Sequence, residues 1–280
     1  MGRRASTVNG RGRADAARKR APTDAAAEGA VLASATRALR VLKVFSAERR
    51  DLGVTELARE LGLSKSSAHL LLATLHQEGF VQRSSANGRY ELGTAAIRLG
   101  VMALDRVGFG PWSQHILQDL ADRTGETATV GVLDHQQVLF LQRVDSREIL
   151  RVDLKVGTRL ALHASALGKL LLATLAEPPR ELLLADLPLP RLAERTITDL
   201  DALRAELAEV GRRGHAESIE EVLPGISAVA APIRNWSNEV VAGVSVAWPT
   251  GRRSLADHLP AVLAAAAQLS AGLGYGHSAG

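Results

Sequence analysis

The sequence contains no cysteine, and this absence excludes two kinds of structure. Without thiols there can be no disulfide framework and no thiolate metal site. The eight histidines are scattered, and none has the H-E-x-x-H spacing of a zinc enzyme. We therefore expect no bound metal.

Long apolar stretches are also missing. No run approaches the roughly 18 residues that a membrane-spanning helix needs, and the N-terminus lacks the apolar core of a secretory signal. We therefore expect a cytoplasmic protein with no membrane partner. A chain of 280 residues is long enough for two domains, each with its own core.

The signatures of common enzyme classes are absent as well. The sequence has no G-x-S-x-G nucleophile elbow, no P-loop and no dinucleotide-binding glycine turn after a strand. His163, Ser165 and Glu220 include the residue types of a hydrolytic triad, but without the elbow they do not indicate a hydrolase. We expect no catalytic residues, no cofactor and no enzymatic activity.

Charge is distributed unevenly along the chain. Residues 1–105 hold 17 Lys and Arg against 10 Asp and Glu, a net of +7, whereas residues 106–280 hold 17 against 20, a net of −3. A positive N-terminal part suits a surface that approaches phosphates. Residues 1–30 are rich in Arg, Ala and Gly and have almost no large apolar residue, so we expect a disordered basic tail, which either contacts DNA or is only solvated.

The most informative pattern lies in residues 54–93. Residues 54–61 have helical apolar spacing, with Thr55 where a cap is wanted and Gly62 where the chain must reverse. Ser64 is a good N-cap for a second helix. Two short strands, 80–83 and 89–92, then flank an Asn-Gly pair, the strongest two-residue hairpin signal. This order predicts a winged helix-turn-helix, which places one helix in the DNA major groove.

The second helix has two different faces. At about 100° per residue, Ala68, Leu71, Leu72 and Leu75 form the packing face, whereas the opposite face is small, mostly polar and free of acidic residues. Predicted DNA contacts lie on that opposite face, in the first turn and in the wing: Lys65, Ser66, Ser67, His69, Leu70, Arg83 and Arg89. Two alternatives stay open, since the first-turn residues could merely cap the helix and Leu70 could contact a thymine methyl group or be a single exposed leucine.

The rest of the chain alternates between helical and strand patterns. Helices are predicted at 34–45, 94–107, 112–123, 164–175, 178–185, 198–211 and 254–273, and strands at 126–134, 136–146, 149–162, 226–233 and 240–247. Strands flanked by helices at both ends of residues 108–275 favour one α+β domain with a central antiparallel sheet.

Five segments together resemble IclR-type bacterial transcriptional regulators: SKSSAHLLLATLHQEGF, GRYELG, GTRLALHASALGKLLLA, PGISAVAAPI and VVAGVSVAWP. The resemblance covers residues 34–274 and implies a winged helix-turn-helix joined by a linker helix to a GAF-like α+β effector-binding domain. The implied divisions are a tail (1–30), the DNA-binding domain (31–93), the linker helix (94–107) and the effector-binding domain (108–275). It further implies a homodimer or dimer of dimers on double-stranded, near-palindromic operator DNA. It implies a repressor rather than an activator, whose operator binding is modulated by a small organic or aromatic acid.

The resemblance also implies where the effector binds. The matching positions are His163, Ala164, Ser165, Gly168, Ser218, Glu220, Gly225, Ile226, Ser227, Ala228 and Ser245. Several of these groups could instead cap a helix or pack in a strand. Leu70 stands where many members have Arg, Ala228 where many have Cys, Ser218 where an acid is expected and Ala247 where a second Ser is expected. The last three changes predict a ligand larger and less polar than a tiny hydroxy or keto acid.

A different class of function stays open at this point. A winged helix can serve as a protein-interaction scaffold that does not recognise DNA sequence. The positive N-terminal part and the lack of acids on the outward helix face favour DNA.

Overall fold

A computed structural model describes residues 32–46, 49–148 and 155–276. The tail predicted at 1–30 and the first part of the strand predicted at 149–162 lie outside these residues. Within the described ranges, no helix is both long and apolar enough to cross a membrane.

The N-terminal elements form a small body with a three-stranded antiparallel sheet of order β1-β3-β2. Its core includes Leu52, Leu57 and Leu72, whose side chains are completely buried. The predicted winged helix-turn-helix is confirmed, and strand β1 is an unpredicted addition. The elements are α1 (Ala33–Val44), β1 (Asp51–Leu52), α2 (Val54–Glu60), α3 (Lys65–Gln77), β2 (Val81–Arg83) and β3 (Tyr90–Leu92).

Short-range signals position α3. Gly62 has a φ of 63°, as a chain reversal there requires, and the Ser64 hydroxyl accepts the N–H of Ser67 at 3.1 Å. The predicted cap at Thr55 is wrong. Helix α2 begins directly after Gly53, whose N–H donates to the Glu56 carboxylate at 3.4 Å, so Thr55 already lies within the first turn.

The wing is the predicted hairpin, but its loop is longer than predicted. Arg83 pairs with Tyr90, which leaves the six residues 84–89 to connect β2 and β3. The N–H of Gly88 donates to the carbonyl of Ser84 at 2.9 Å. The Asn-Gly pair is therefore one side of a wider loop, in which Gly88 supplies a positive φ of 70°.

Two helices follow the wing. Helix α4 (Thr94–Val107) has the predicted bounds of the linker helix, and α5 (Pro111–Thr124) comes next. On α4, Ile97, Val101 and Met102 are each more than half exposed to solvent. A row of large apolar side chains on one surface helix marks a face that another protein surface can cover.

The C-terminal part is an α+β domain around a six-stranded antiparallel sheet of order β6-β5-β4-β9-β8-β7. The predicted fold class is confirmed. The strands and helices are β4 (Thr127–Asp134), β5 (Gln137–Val144), β6 (Arg159–Ala161), α6 (Ala166–Thr174), α7 (Glu177–Ala185), α8 (Leu200–Arg213), β7 (Ala216–Ile219), β8 (Ile226–Arg234), β9 (Val240–Pro249) and α9 (Leu255–Gly272).

Helices cover both faces of this sheet. Helices α5 and α9 pack on one face, where Leu120 and Leu269 belong to the same core. Helices α6 and α8 pack on the other face, around Leu170 and Leu207. Because strand side chains alternate between faces, a single sheet supports both cores.

Four elements of this part differ from the sequence predictions. Edge strand β7 was not predicted, since four residues are too few to show alternation. Strand β6 is only three residues long, because residues 155–158 form a turn in which the N–H of Thr158 donates to the carbonyl of Lys155. Helices α6 and α8 begin two residues later than predicted, because Ser165 and Asp199 are their N-caps.

Candidate DNA-reading surface and effector cavity

The outward face of α3 is open to solvent. Ser66, Ser67, His69 and Leu70 are exposed, and Leu70 has 68% of its surface accessible. The face turned inward is buried, as the helical spacing predicts. Helix α3 therefore presents small polar groups, one imidazole and one leucine without an acidic residue among them.

Hydroxyl groups cluster at the N-terminus of α3. The Ser64 oxygen lies 3.0 Å from the Ser66 oxygen and 2.9 Å from the Ser67 oxygen, while Lys65 is exposed beside them. This arrangement orders the first turn, whose free backbone N–H groups favour an anion. The structure thus brings the predicted phosphate contacts of α3 together.

The two arginines of the wing are held differently. Arg83 is exposed, and its Nε donates to the carbonyl of Gly88 at 3.0 Å, which orients it along the loop. Arg89 is half-buried between two acids, with its Nε 2.7 Å from Asp51 Oδ1 and its Nη2 2.6 Å from Glu56 Oε2. Hydrogen bonds to Glu56 and Asp51 raise the pKa of Arg89, and the Arg89 guanidinium in turn lowers the pKa of Glu56. Arg89 thus joins the wing to β1 and α2, and its contact with DNA stays a prediction.

A cavity of about 230 Å³ lies between one face of the large sheet and the start of α6. Five of the predicted effector positions line it: Ser165, Ser218, Ile226, Ala228 and Ser245. Ala247, where the resemblance led us to expect a second serine, also lines it. Residues that were not predicted complete the wall: Thr127, Thr129, Phe140, Arg143, Leu160, Ala166, Leu167, Val222 and Leu223. Apolar side chains thus surround a few hydroxyl groups and one guanidinium.

The other six predicted positions do not line the cavity, and most have evident structural roles. His163 is buried, with its Nε2 3.0 Å from the carbonyl of Pro190, and burial lowers its pKa. The N–H of Gly168 donates to Ser165 Oγ at 3.1 Å, and Ser227 Oγ lies 2.8 Å from Thr250 Oγ1. Ala164 accepts the Ser218 hydroxyl through its carbonyl.

Glu220 and Gly225 delimit the loop between β7 and β8, and both have a positive φ, 57° and 76° respectively. Within this loop Val222 and Leu223 close one side of the cavity. We call residues 220–225 the flap. Its two ends are shaped by left-handed backbone rather than by side chains aimed at the cavity.

A buried ion pair holds the flap to α6. Lys169 Nζ lies 2.6 Å from Glu221 Oε1 and 3.3 Å from Glu206 Oε1, and Lys169 is 2% exposed. The Thr196 hydroxyl donates to the backbone carbonyl of Glu221 at 2.6 Å. Burial raises the pKa of Glu221, although Lys169 opposes that shift. The flap is therefore fixed both by a side chain and by its backbone.

Arg143 is the most consequential residue that sequence patterns missed. Strict alternation along β5 places Phe140 and Arg143 on opposite faces, but the register shifts between Val130 and Gly131 of the neighbouring strand β4. This bulge brings Phe140 and Arg143 to the same face, against the cavity. The sequence signal for such a bulge is Gly131, an isolated glycine inside a strand, but it does not show which side chains the bulge turns toward the cavity.

The residues considered for a hydrolytic triad do not contact one another in a catalytic manner. The Ser165 hydroxyl donates to the carbonyl of Ala161 at 2.7 Å, and the His163 ring contacts Pro190. A nucleophile must instead be hydrogen-bonded to its base.

Comparison with known proteins agrees with this geometry. The family model described as the IclR helix-turn-helix domain matches residues 34–85, and the one described as the bacterial transcriptional regulator IclR C-terminal matches residues 101–271. The regulator BhcR of Paracoccus denitrificans is 36% identical over 240 residues, 85% of this chain and 86% of that protein. KdgR of Escherichia coli is 32% identical over 243 residues, 84% and 92% of the two chains.

Solved structures show the same similarity. An IclR homolog from Microbacterium hydrocarbonoxydans, complexed with 4-hydroxybenzoate, is 28% identical with a TM-score of 0.76 and covers 86% of this chain and 98% of its own. An IclR regulator from Alicyclobacillus acidocaldarius is 30% identical with a TM-score of 0.73, covering 87% and 99%. The chain therefore belongs to the IclR family of bacterial transcriptional regulators.

Proposed function

We propose that this regulator binds double-stranded operator DNA through the outward face of α3, and that a small organic acid in the cavity changes this binding. The exposed, acid-free face of α3 is the observation that carries the proposal. A groove-entering helix needs such a face, since an acid there would repel phosphates. The named relatives are regulators, and we propose no enzymatic activity.

Each predicted contact has a proposed role. Lys65 and the first turn of α3 bind phosphates, and Arg83 and Arg89 bind the backbone beside the wing. Ser66, Ser67 and His69 reach base edges, and Leu70 packs on a thymine methyl group. A cytoplasmic location follows, because bacterial DNA lies there.

The test is a triple variant, Ser66→Glu with Ser67→Glu and Leu70→Glu. Three carboxylates in the groove should abolish binding to DNA from upstream of the gene, measured by mobility shift and footprinting at several salt concentrations. The matched control places the same charges on exposed positions of α8, as Ala202→Glu, Ala205→Glu and Ala208→Glu. An unaltered footprint in the α3 variant would overturn the proposal.

We further propose a homodimer, or a dimer of dimers, on a near-palindromic operator. Leu39 of α1 and Ile97 and Met102 of α4 are each about 60% exposed, and a second copy covering them would bury them. A two-fold dimer reads half-sites about one helical turn, ~34 Å, or a multiple apart. Sedimentation equilibrium should show at least a dimer at micromolar concentration, and a monomer bound to operator would contradict this.

The ligand we propose is an acid with one ring. An apolar cavity of about 150 Å³ admits benzene, so about 230 Å³ has room for a substituted ring. Ala228 and Ala247 stand where the family resemblance leads us to expect a cysteine and a second serine, so this cavity is less polar than one with those residues. A homolog of similar structure is known in complex with 4-hydroxybenzoate. Calorimetry should detect aromatic acids. Submillimolar binding of glyoxylate or pyruvate, with none of aromatic acids, would contradict this.

Coupling between the two ends of the chain is the last part of the proposal. We take residues 31–93 as the DNA-binding domain, 94–107 as the connecting helix and 108–275 as the sensing domain, with 1–30 as a tail. A ligand that favours one arrangement of these units shifts the population able to bind DNA. We propose that the regulator is a repressor whose operator binding the ligand modulates. Unchanged operator affinity at saturating ligand would overturn the coupling.

A further inference from the structure

Three side chains of the cavity form a row across the sheet. Thr129 of β4 pairs with Arg143 of β5 on one side and with Ser245 of β9 on the other. Neighbouring strands lie about 4.8 Å apart, so the two hydroxyls are neighbours and the guanidinium stands beside them. All three line the cavity.

The two hydroxyls of this row are available to a ligand. Thr129 is 5% exposed and Ser245 is 8% exposed, and among the described residues neither hydroxyl has a hydrogen-bond partner. Buried polar groups normally do have partners. The other three hydroxyls of the wall are already engaged, because Ser218 donates to the carbonyl of Ala164, Ser165 donates to that of Ala161, and Thr127 accepts the N–H of Ser146. Recognition of a polar group is therefore concentrated at the row.

Arg143 gives the row its charge. Its side chain is 6% exposed, and its Nε donates to Asp145 Oδ1, which fixes the plane of the guanidinium. Among the described residues that line the cavity it is the only charged one. Asp145 already supplies an anionic partner at Nε, and the other N–H groups of the planar fork can match the two oxygens of a second carboxylate.

We propose that Arg143, Thr129 and Ser245 anchor the carboxylate of the effector, which leaves its ring among Phe140, Leu167 and the flap. This inference rests on the proposed effector-binding function and deepens it. It defines the orientation of the ligand, with its anion at the centre of the sheet and its apolar part toward α6. It also defines the chemical requirement, since a neutral isostere of the carboxylate should bind weakly.

The experiment compares two probes of similar shape, 4-hydroxybenzoate and 4-hydroxybenzamide, by calorimetry on the full-length protein. Wild type should prefer the carboxylate by roughly 10- to 100-fold, as for a hydrogen bond to a charged group. Arg143→Gln should reduce this preference to near unity by weakening the carboxylate alone. Thr129→Val with Ser245→Ala should weaken the carboxylate by a smaller factor, roughly 2- to 10-fold.

The ratio of the two affinities separates an anchor from a structural role. Leu223→Ala alters the flap without touching the row, so it should weaken both probes equally and keep the wild-type ratio. Circular dichroism and thermal melting establish that each variant is folded. An unchanged preference in folded Arg143→Gln would overturn the anchor while leaving the ligand class intact. If the wild-type protein binds neither probe, the proposed anchor and the proposed single-ring ligand are both wrong. The proposal of operator binding is unaffected, because the triple variant of α3 tests it.

Discussion

Helix α3 and the cavity differ in whether the side chains proposed for function also belong to the packed core. On α3 the side chains that we propose to contact DNA face solvent, and the packing face that holds the helix, with Ala68 and Leu72, is a separate set of residues. The cavity, in contrast, is lined by elements that also form the hydrophobic core, and Leu167 belongs both to the cavity wall and to that core. Substitutions on α3 should therefore change binding alone, whereas substitutions near the cavity should change stability as well.

The largest expected effect is on the buried ion pair behind the flap. Lys169→Met leaves Glu221 and Glu206 without their shared cation, and removing one partner of a buried pair costs about 3–5 kcal/mol. Urea denaturation at neutral pH measures this loss. Arg204→Met is the control, because its partners Glu181 and Asp201 are in exposed pairs and its loss should be small. Equal losses in the two variants would break the comparison.

The second-largest effect is expected at Gly168, which is tightly packed and does not line the cavity. A Cβ there would lie 2.3 Å from the carbonyl oxygen of Leu162, so Gly168→Ala must displace backbone and should cost about 1–3 kcal/mol. Gly211→Ala in α8 is the matched control. A Cβ there meets nothing within 4 Å, and helix propensity should make it stabilising by about 0.5–1 kcal/mol. Thermal melting of both proteins checks the opposite signs.

The third effect concerns His258, which is fully buried against Trp248 and whose ring nitrogens have no hydrogen-bond partner among the described residues. Burial lowers its pKa below the usual 6.5, so the unfolded chain binds the proton more readily. The free energy of unfolding is therefore highest above pH 6.5, and it decreases as the pH falls from 6.5 through the lower pKa of His258 in the folded state. His258→Phe should flatten this dependence and stabilise the domain by about 1 kcal/mol at pH 7. An unchanged pH profile of unfolding would contradict it.

The smallest effect on stability is expected on α3. Leu70→Ala removes an exposed side chain, so the free energy of unfolding should change by less than about 0.5 kcal/mol while operator binding weakens. Leu72→Ala makes the same change two residues later, at a fully buried position, and should cost about 2–5 kcal/mol. A large loss of stability in Leu70→Ala would show that this face also packs.

Sequence patterns were most successful where one local rule decides the structure. Helical spacing predicted which residues of α3 are buried, and Ser64 and Gly62 marked its start and the preceding turn. The linker helix α4 was predicted to its end residues. The resemblance also named five residues of the cavity wall. The capping of α2 and the length of the wing loop were missed, because several neighbouring residues could serve either role.

The amino-acid sequence by itself determined the element order apart from the short strands β1 and β7, the outward face of α3 and the family, since periodicity and short motifs act over a few residues. The tertiary structure alone decided which further side chains share the cavity with the five that the resemblance named. Arg143 reaches it through a bulge in a strand pair, and the row with Thr129 and Ser245 depends on the register of three strands. Thr129 and Ser245 are more than a hundred positions apart in the chain, so their pairing is decided by the assembled sheet and not by a local pattern.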